Sequence, residues 1–222
     1  MTRPVKILLL LILLLLLSTY SPTYKTDNPI FIFTIQDIKI ENNKILNSRK
    51  ILYELESLKG KSLLLVDKEI IRSAMKKFDF ISSFEVKKVY PKTIKVKILE
   101  KIPVAIYTED KNKFYISNKG DLIKYLEIDS YKNLPLLFGK KTNFNNFFED
   151  LKNINFPIAD IKSFHHFEIG RWDILLNNEK LIKLPQDNYK EMLKKFLSIK
   201  DNKSFDKYKI FDYRIKDQLI LN

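Results

Sequence analysis

The chain is organised around residues 86–105, which read VKKVYPKTIKVKILEKIPVA. Two strands are predicted here, joined at residues 90–93, because Pro91 fixes its own φ in a turn and has no N–H to donate to a ladder. In the second strand, apolar residues alternate with lysines: Ile94, Val96 and Ile98 against Lys95 and Lys97. This period of two predicts a hairpin with one buried face and one solvated face.

Upstream of the hairpin, the sequence predicts one strand and two helices. The strand is IFIFTIQDIKI at residues 30–40. Ser48 can cap a first helix, which Gly60 ends, and Asp67 can cap a second helix. Each helix has an apolar stripe at helical spacing: Ile51, Leu52, Leu55 and Leu58 in the first, and Ile70, Ile71, Ala74, Met75 and Phe78 in the second.

Downstream of the hairpin, most patterns are those of strands. They are predicted at residues 104–107, 113–116, 122–125, 134–138, 161–169, 171–176, 180–184, 208–215 and 218–221. A helix is predicted around residues 144–151, and another begins at Asn188, with Glu191 at capping-box spacing. The predicted fold is α+β, with an N-terminal membrane anchor helix, a βααββ domain at 30–102 and a mixed β-sheet domain with flanking helices at 103–222.

The N-terminus carries a membrane-directed segment. Residues 7–17 are an unbroken run of Leu and Ile behind the basic Arg3 and Lys6, which predicts a cytoplasmic tail at 1–6 and the remainder outside the cytoplasm. Eleven helical residues span only about 16 Å of a core about 30 Å thick. Two alternatives follow: a cleaved signal peptide, or a retained anchor at 7–24. Residues 18–22 lack a small-x-small cleavage motif, which favours the anchor.

Composition and motifs exclude several function classes. The formal charge of +13 is spread evenly along the chain, so nucleic acid is not expected as a partner. Cysteine is absent, and the four glycines are too scattered for a phosphate-binding loop. His165 and His166 are adjacent on a predicted strand and would face opposite sides. No catalytic residue, metal site, cofactor or small-molecule substrate is therefore predicted.

Several sequence segments resemble motifs of the FtsQ/DivIB family of bacterial division proteins, which combine a POTRA domain with a β-domain. They are VYPKTI at 89–94, EKIPVA at 100–105, ISNKG at 116–120, RWDILLNN at 171–178 and FDYR at 211–214. The resemblance covers nearly the whole chain. The tail of about six residues and the short apolar run depart from the family pattern, which leaves cytoplasmic contacts and a fully spanning helix open.

The resemblance implies a single-pass inner-membrane protein with its bulk in the periplasm, located at the division septum. It implies a non-enzymatic scaffold of the divisome, linking early and late division proteins. The POTRA domain would help recruitment to midcell, and the β-domain would bind an FtsB/FtsL-like pair that regulates septal cell-wall synthesis by FtsW and FtsI. FtsK, FtsW and FtsI are further candidate partners.

The last predicted strand suggests how a partner would bind. If no further strand covers it, its unpaired N–H and C=O groups can accept a partner strand. Arg214 and Arg171 could each hold an acidic partner side chain in bidentate fashion, although either could be an ordinary surface arginine. The predicted partner-binding set is Arg171, Arg214, Ile215, Gln218, Leu219, Ile220 and Leu221.

Two other functions are alternatives to the division scaffold. One is an outer-membrane assembly or secretion component whose POTRA domain binds nascent strands. That function calls for several POTRA repeats or a β-barrel, and the sequence has the pattern of neither. The other is a secreted enzyme with an unrecognised site, which retention of the N-terminus would disfavour.

Overall fold

The computed structural model describes residues 3–19, 33–109 and 112–222. The helices are α1 (Arg3–Thr19), α2 (Ser48–Glu54), α3 (Lys68–Met75), α4 (Phe144–Asn153) and α5 (Tyr189–Ile199). The strands are β1 (Asp37–Glu41), β2 (Ile81–Val89), β3 (Thr93–Glu100), β4 (Pro103–Glu109), β5 (Asn112–Ser117), β6 (Leu122–Lys124), β7 (Leu136–Gly139), β8 (Ile161–His166), β9 (Trp172–Leu176), β10 (Leu181–Lys183), β11 (Ile210–Asp212) and β12 (Ile220–Leu221).

Helix α1 contains the apolar run, and the side chains of residues 7–17 are exposed along it. Within the described ranges, no helix combines the length and the apolarity that a membrane crossing requires. Residues 20–24 of the predicted anchor lie outside the described residues.

A three-stranded sheet in the order β1-β3-β2 confirms the predicted hairpin. Strand β3 pairs antiparallel with β2 and parallel with β1. Ile94, Val96 and Ile98 are buried beneath α2 and α3, while Lys97 is exposed on the opposite face. The element order from β1 to β3 is the predicted βααββ, and the fold class is α+β.

Three local predictions in this unit need correction. The strand predicted at 30–40 is β1, which begins only at Asp37, and residues 30–32 lie outside the described residues. Asn47, not Ser48, caps α2 by accepting a hydrogen bond from the Arg49 N–H. Helix α2 ends at Glu54, and a 3-10 turn at Glu56–Leu58 follows it. The cap predicted at Asp67 is confirmed, since its carboxylate accepts from the Glu69 N–H.

The larger sheet has nine strands in the order β12-β11-β10-β9-β8-β7-β4-β5-β6. Helices α4 and α5 pack on one face, where the ring of Phe147 stacks on Trp172 at 4.4 Å. The predicted strands at 208–215 and 218–221 are shorter, as β11 and β12. The capping box at Asn188 is wrong: its φ of 59° is left-handed, and its side chain makes no cap hydrogen bond.

A third apolar cluster joins the two sheets. Phe80, which precedes β2, is buried with Tyr115 and two isoleucines of the larger sheet, and Ile45 and Leu46 pack against them. The carboxylate of Glu100, at the end of β3, accepts hydrogen bonds of 2.8–3.1 Å from the backbone N–H groups of residues 44, 45 and 46. Glu100 thus holds the loop that contacts the larger sheet.

The two histidines lie on opposite faces of β8, as predicted. His166 stacks on Trp172 with ring centroids 4.0 Å apart, and its Nδ1 lies 2.7 Å from the carbonyl oxygen of Lys140. His165 stacks on Phe138 and contacts the Ser163 hydroxyl. In the described part of the chain, no group of three or more His, Asp or Glu side chains is arranged to hold a metal ion.

Candidate partner-binding edge

Strand β12 forms one edge of the nine-stranded sheet and pairs only with β11. Ile210 and Asn222 exchange both backbone hydrogen bonds, with N···O distances of 2.8 and 3.2 Å. In an antiparallel ladder such pairs alternate with pairs that do not bond across the strands. Leu221, the next residue, therefore turns its N–H and C=O away from β11 and toward the open edge.

The side chains of the predicted set divide between two sides of this edge. Leu219 and Leu221 pack against the core cluster of the sheet. Ile215 and Ile220 are exposed at 51% and 39%, and Gln218 is also exposed. An incoming strand would meet open backbone groups in the plane of the sheet and apolar side chains beside it.

Arg214 lies next to this edge and already has a carboxylate partner. Its Nε and Nη2 donate to the two oxygens of Asp212 at 2.5–3.0 Å. The hydrogen bonds from Arg214 hold the pKa of the Asp212 carboxyl below its ordinary value, in spite of the opposing effect of burial. A partner carboxylate would therefore join an existing ion pair.

Arg171 is held more deeply. Its guanidinium carbon lies 4.2 Å from the centre of the Phe167 ring, and its Nε lies 3.4 Å from Oδ1 of Asp173. Burial raises the pKa of the Asp173 carboxyl, and the charge of Arg171 partly offsets that rise. Arg171, which was predicted to bind a partner carboxylate in bidentate fashion, is thus a half-buried cation that already pairs with Asp173.

A cavity of about 580 Å³ brings the two arginines together. Arg171, Tyr213 and Arg214 line it together with residues 185–188, which precede α5. Among the described residues, three buried side-chain atoms lack a hydrogen-bond partner: Nε of Arg171, Oδ1 of Asp173 and the hydroxyl of Tyr213. Burial raises the pKa of Tyr213 to about 12, so its hydroxyl is a neutral donor at physiological pH. Buried polar atoms without hydrogen-bond partners are costly, and two of these three belong to residues that line the cavity, Arg171 and Tyr213.

Sequence reasoning missed three residues of this site: Asp173, Asp212 and Tyr213. Asp212 and Tyr213 lie within the segment FDYR, two residues and one residue before Arg214, and Asp173 lies within RWD, two residues after Arg171. Their roles depend on burial and on the strand order, in which β10 lies between β9 and β11. A local sequence pattern specifies neither.

Replacing Arg214 by Gln tests its pairing with Asp212. The folded-state pKa of Asp212 is depressed, so the pair stabilises the fold above the ordinary aspartate pKa and ceases to do so as the pH falls through the lowered value. We expect Arg214→Gln to lower the free energy of unfolding at neutral pH by less than about 1 kcal/mol, because Arg214 is partly exposed. Urea unfolding at neutral and acidic pH measures this. A difference that persists once Asp212 is protonated would contradict it, and Lys216→Gln is the exposed control.

A second open edge belongs to β2 in the smaller sheet. The Asp37 N–H donates to the Lys92 carbonyl. The even-numbered residues of β3 therefore direct their backbone N–H and C=O groups toward β1, and the odd-numbered residues direct theirs toward β2. Across the β2–β3 register, this leaves the backbone groups of Phe84, Val86 and Lys88 facing outward. Among the described residues, no buried side-chain atom that lacks a hydrogen-bond partner belongs to this edge strand.

Two family models match this chain, one over each sheet. The first is the POTRA domain, FtsQ-type, at residues 33–101, and the second is Cell division protein FtsQ/DivIB, C-terminal, at residues 105–214. The chain belongs to the FtsQ/DivIB family of cell division proteins. The first match includes the hairpin, and the second includes strands β5 to β11 and Arg214, whereas β12 lies beyond it.

Curated FtsQ/DivIB relatives agree over most of the chain. Cell division protein FtsQ of Agrobacterium fabrum is 26% identical over 72% of this chain and 51% of its own length. The protein of the same name from Rhizobium meliloti is 28% identical over 69% of this chain and 50% of its own. That of Rickettsia conorii is 27% identical over 91% and 77%. The chain thus spans about half the length of the first two relatives.

A solved FtsQ/DivIB structure was also matched. It is the major extracytoplasmic domain of the trans isomer of DivIB from Geobacillus stearothermophilus, which is 13% identical to this chain. The match covers 46% of this chain and 92% of that domain, with a TM-score of 0.31.

Proposed function

We propose that this chain is a non-enzymatic scaffold of the divisome that binds an FtsB/FtsL-like partner by strand addition at β12. Helix α1 tethers it to the inner membrane, and its two sheets lie in the periplasm at the septum. Through the bound partner it regulates septal cell-wall synthesis by FtsW and FtsI. Membership of a cell division family supports the general role.

The open edge of β12 is the observation that carries the proposal. The backbone N–H and C=O of Leu221 face outward and supply sequence-independent attachment for a partner strand. The cavity lined by Arg171, Tyr213 and Arg214 supplies selectivity, because an acidic side chain placed there would meet the Tyr213 hydroxyl, which has no hydrogen-bond partner, and two guanidinium groups that already pair with Asp173 and Asp212. The match to an FtsQ-type POTRA model favours this role over outer-membrane assembly.

Proline substitution at Leu221 tests the strand-addition step. Leu221→Pro removes an N–H that faces the partner and leaves the ladder with β11 intact, whereas Ile220→Pro would break that ladder. We expect Leu221→Pro to weaken binding of a peptide from the extracytoplasmic part of the organism's own FtsB-like protein by about tenfold or more. Isothermal titration calorimetry with the purified chain measures this.

Two variants serve as controls for that measurement. Leu221→Ala keeps the N–H while shortening the side chain, and Val86→Pro blocks the outward N–H at the middle of the β2 edge. Binding close to wild type in both is expected. If Leu221→Pro also binds like wild type, β12 is not the docking strand, and loss of binding in Val86→Pro alone would move the site to β2.

The localisation part of the proposal has its own test. A fluorescent protein fused to the N-terminus is expected to gather at the constricting ring, and deletion of residues 3–19 is expected to abolish that pattern. Microscopy of dividing cells, with immunoblots for protein level, measures this. An unchanged ring without residues 3–19 would show that α1 is not the tether.

A further inference from the structure

One end of the smaller sheet carries an exposed apolar tip, formed by Leu64, Leu65 and Tyr90. Their exposed fractions are 53%, 78% and 53%. Contacts bring the two segments together: the Lys88 Nζ donates to the Leu64 carbonyl at 2.8 Å, and the Tyr90 ring meets Phe33 edge-on at 5.2 Å. Two adjacent leucines and a tyrosine at one end of a small unit are costly to leave in water.

The tip is also where the chain arrives from α1. The Leu63 N–H donates to the Phe33 carbonyl at 2.6 Å, and Thr34 forms a β-bridge with Ser62. Thirteen residues, 20–32, separate Phe33 from the last residue of α1. Even fully extended, such a connection spans no more than about 50 Å. Any surface that holds α1 therefore stays within reach of the tip, at a high effective concentration.

Within the two segments that form the tip, every charged side chain is a lysine. Segments 59–65 and 88–92 contain four lysines and no carboxylate. Two of these lysines pair with acids outside the segments: Lys59 with Glu56 at 2.9 Å, and Lys92 with Asp37 at 3.8 Å. The Nζ of Lys88 binds the Leu64 carbonyl, and Lys61 is exposed on the same turn as the leucines. Lysines around an exposed apolar patch complement an anionic lipid surface, where aliphatic and aromatic side chains enter the interface and ammonium groups meet phosphates.

We propose that the Leu64–Leu65–Tyr90 tip is a membrane-contact surface that seats the smaller sheet on an anionic bilayer. This rests on the tether assigned to α1 in the proposed function. With the tip seated on the lipid, the smaller sheet has one orientation relative to the membrane. The docking edge at β12 is then presented at a defined height above the membrane.

Site-specific labelling of the full chain tests this, because the natural sequence has no cysteine. A single cysteine at Leu65→Cys carries a nitrobenzoxadiazole probe, and Leu99→Cys is the matched control. Leu99 is also exposed, at 58%, but lies six residues further along β3 from Thr93, about 20 Å from the hairpin turn. Both labelled chains are reconstituted into vesicles of phosphatidylcholine with phosphatidylglycerol, and of phosphatidylcholine alone, containing lipids with nitroxide-labelled tails.

In the anionic vesicles, we expect nitroxide quenching at position 65 to exceed that at position 99 by about threefold or more, with a blue-shifted emission. In vesicles of phosphatidylcholine alone, we expect weaker quenching at position 65, because the lysines of the tip have no anionic lipid to bind. Unchanged thermal unfolding of both labelled chains shows that the folds are intact, since both positions are exposed.

Three results would overturn the inference. Equal quenching at the two positions, in chains that float with the vesicles, would remove the tip from the membrane while leaving the tether in place. Failure of the chain to float would remove the tether itself, and the tip with it. A shielded probe whose emission depends on protein concentration and not on lipid quencher would assign the tip to a second copy of the chain.

Discussion

Gly139→Ala is expected to lower the free energy of unfolding by about 3 kcal/mol or more, the largest loss among the substitutions considered. Gly139 ends β7 and pairs with His166 of β8, with a φ of +85°. A Cβ at this position would lie 1.9 Å from the His166 carbonyl oxygen and 2.9 Å from its carbon. Backbone atoms in the middle of a nine-stranded sheet cannot move aside as a flexible side chain can.

Gly60→Ala is the matched control, because it separates steric clash from backbone strain. Gly60 has a similar φ of +78°, but an added Cβ there meets no atom within 4 Å. We expect a loss of only about 1 kcal/mol, the ordinary cost of a left-handed alanine. Urea unfolding followed by circular dichroism measures both variants. Equal losses would show that the approach of β7 to β8 is not the cause.

Glu100→Ala is expected to lower the free energy of unfolding by about 3 kcal/mol. It leaves three consecutive N–H groups, at residues 44–46, without their carboxylate. Two of those residues, Ile45 and Leu46, pack against the cluster of Phe80 and Tyr115 that joins the sheets. Loss of the carboxylate therefore loosens the junction as well as the loop, and small-angle scattering should show a broader distribution of distances between the two sheets.

Glu100→Gln and Glu85→Ala are the controls for the junction. Glutamine keeps one acceptor oxygen without the charge, so about half of the loss is expected. Glu85 is exposed on β2, and its replacement should change the free energy of unfolding by less than about 0.5 kcal/mol. If Glu100→Ala unfolds like Glu85→Ala, the carboxylate does not hold the loop.

The candidate site was partly predictable. The last predicted strand, at residues 218–221, was expected to leave one side unpaired, and β12 is an edge strand. The ion pair between Arg214 and Asp212 was not predictable. It depends on the side-chain conformations of both residues, which an alternating sequence pattern does not specify. The sequence also did not show which backbone groups remain unpaired. Only the observed register shows that the backbone groups of Leu221 point away from β11, while those of Ile220 bond to it.

The sequence by itself determined the elements: the hairpin at β2–β3, the cap at Asp67, the apolar stripes of α3 and α4, and the hairpin at β5–β6. These depend on neighbours a few residues apart, so alternation, capping residues and helical spacing specify them. Only the tertiary structure decided the strand order, in which β4 pairs parallel with β7 and β10 with β11. It also decided the hydrogen bonds of Glu100 to residues 44–46, the lack of hydrogen-bond partners at buried atoms of Arg171, Asp173 and Tyr213, and the absence of a side-chain cap at Asn188. Such features arise where segments distant in sequence compete for the same hydrogen bonds and the same buried volume, and no local pattern encodes the outcome of that competition.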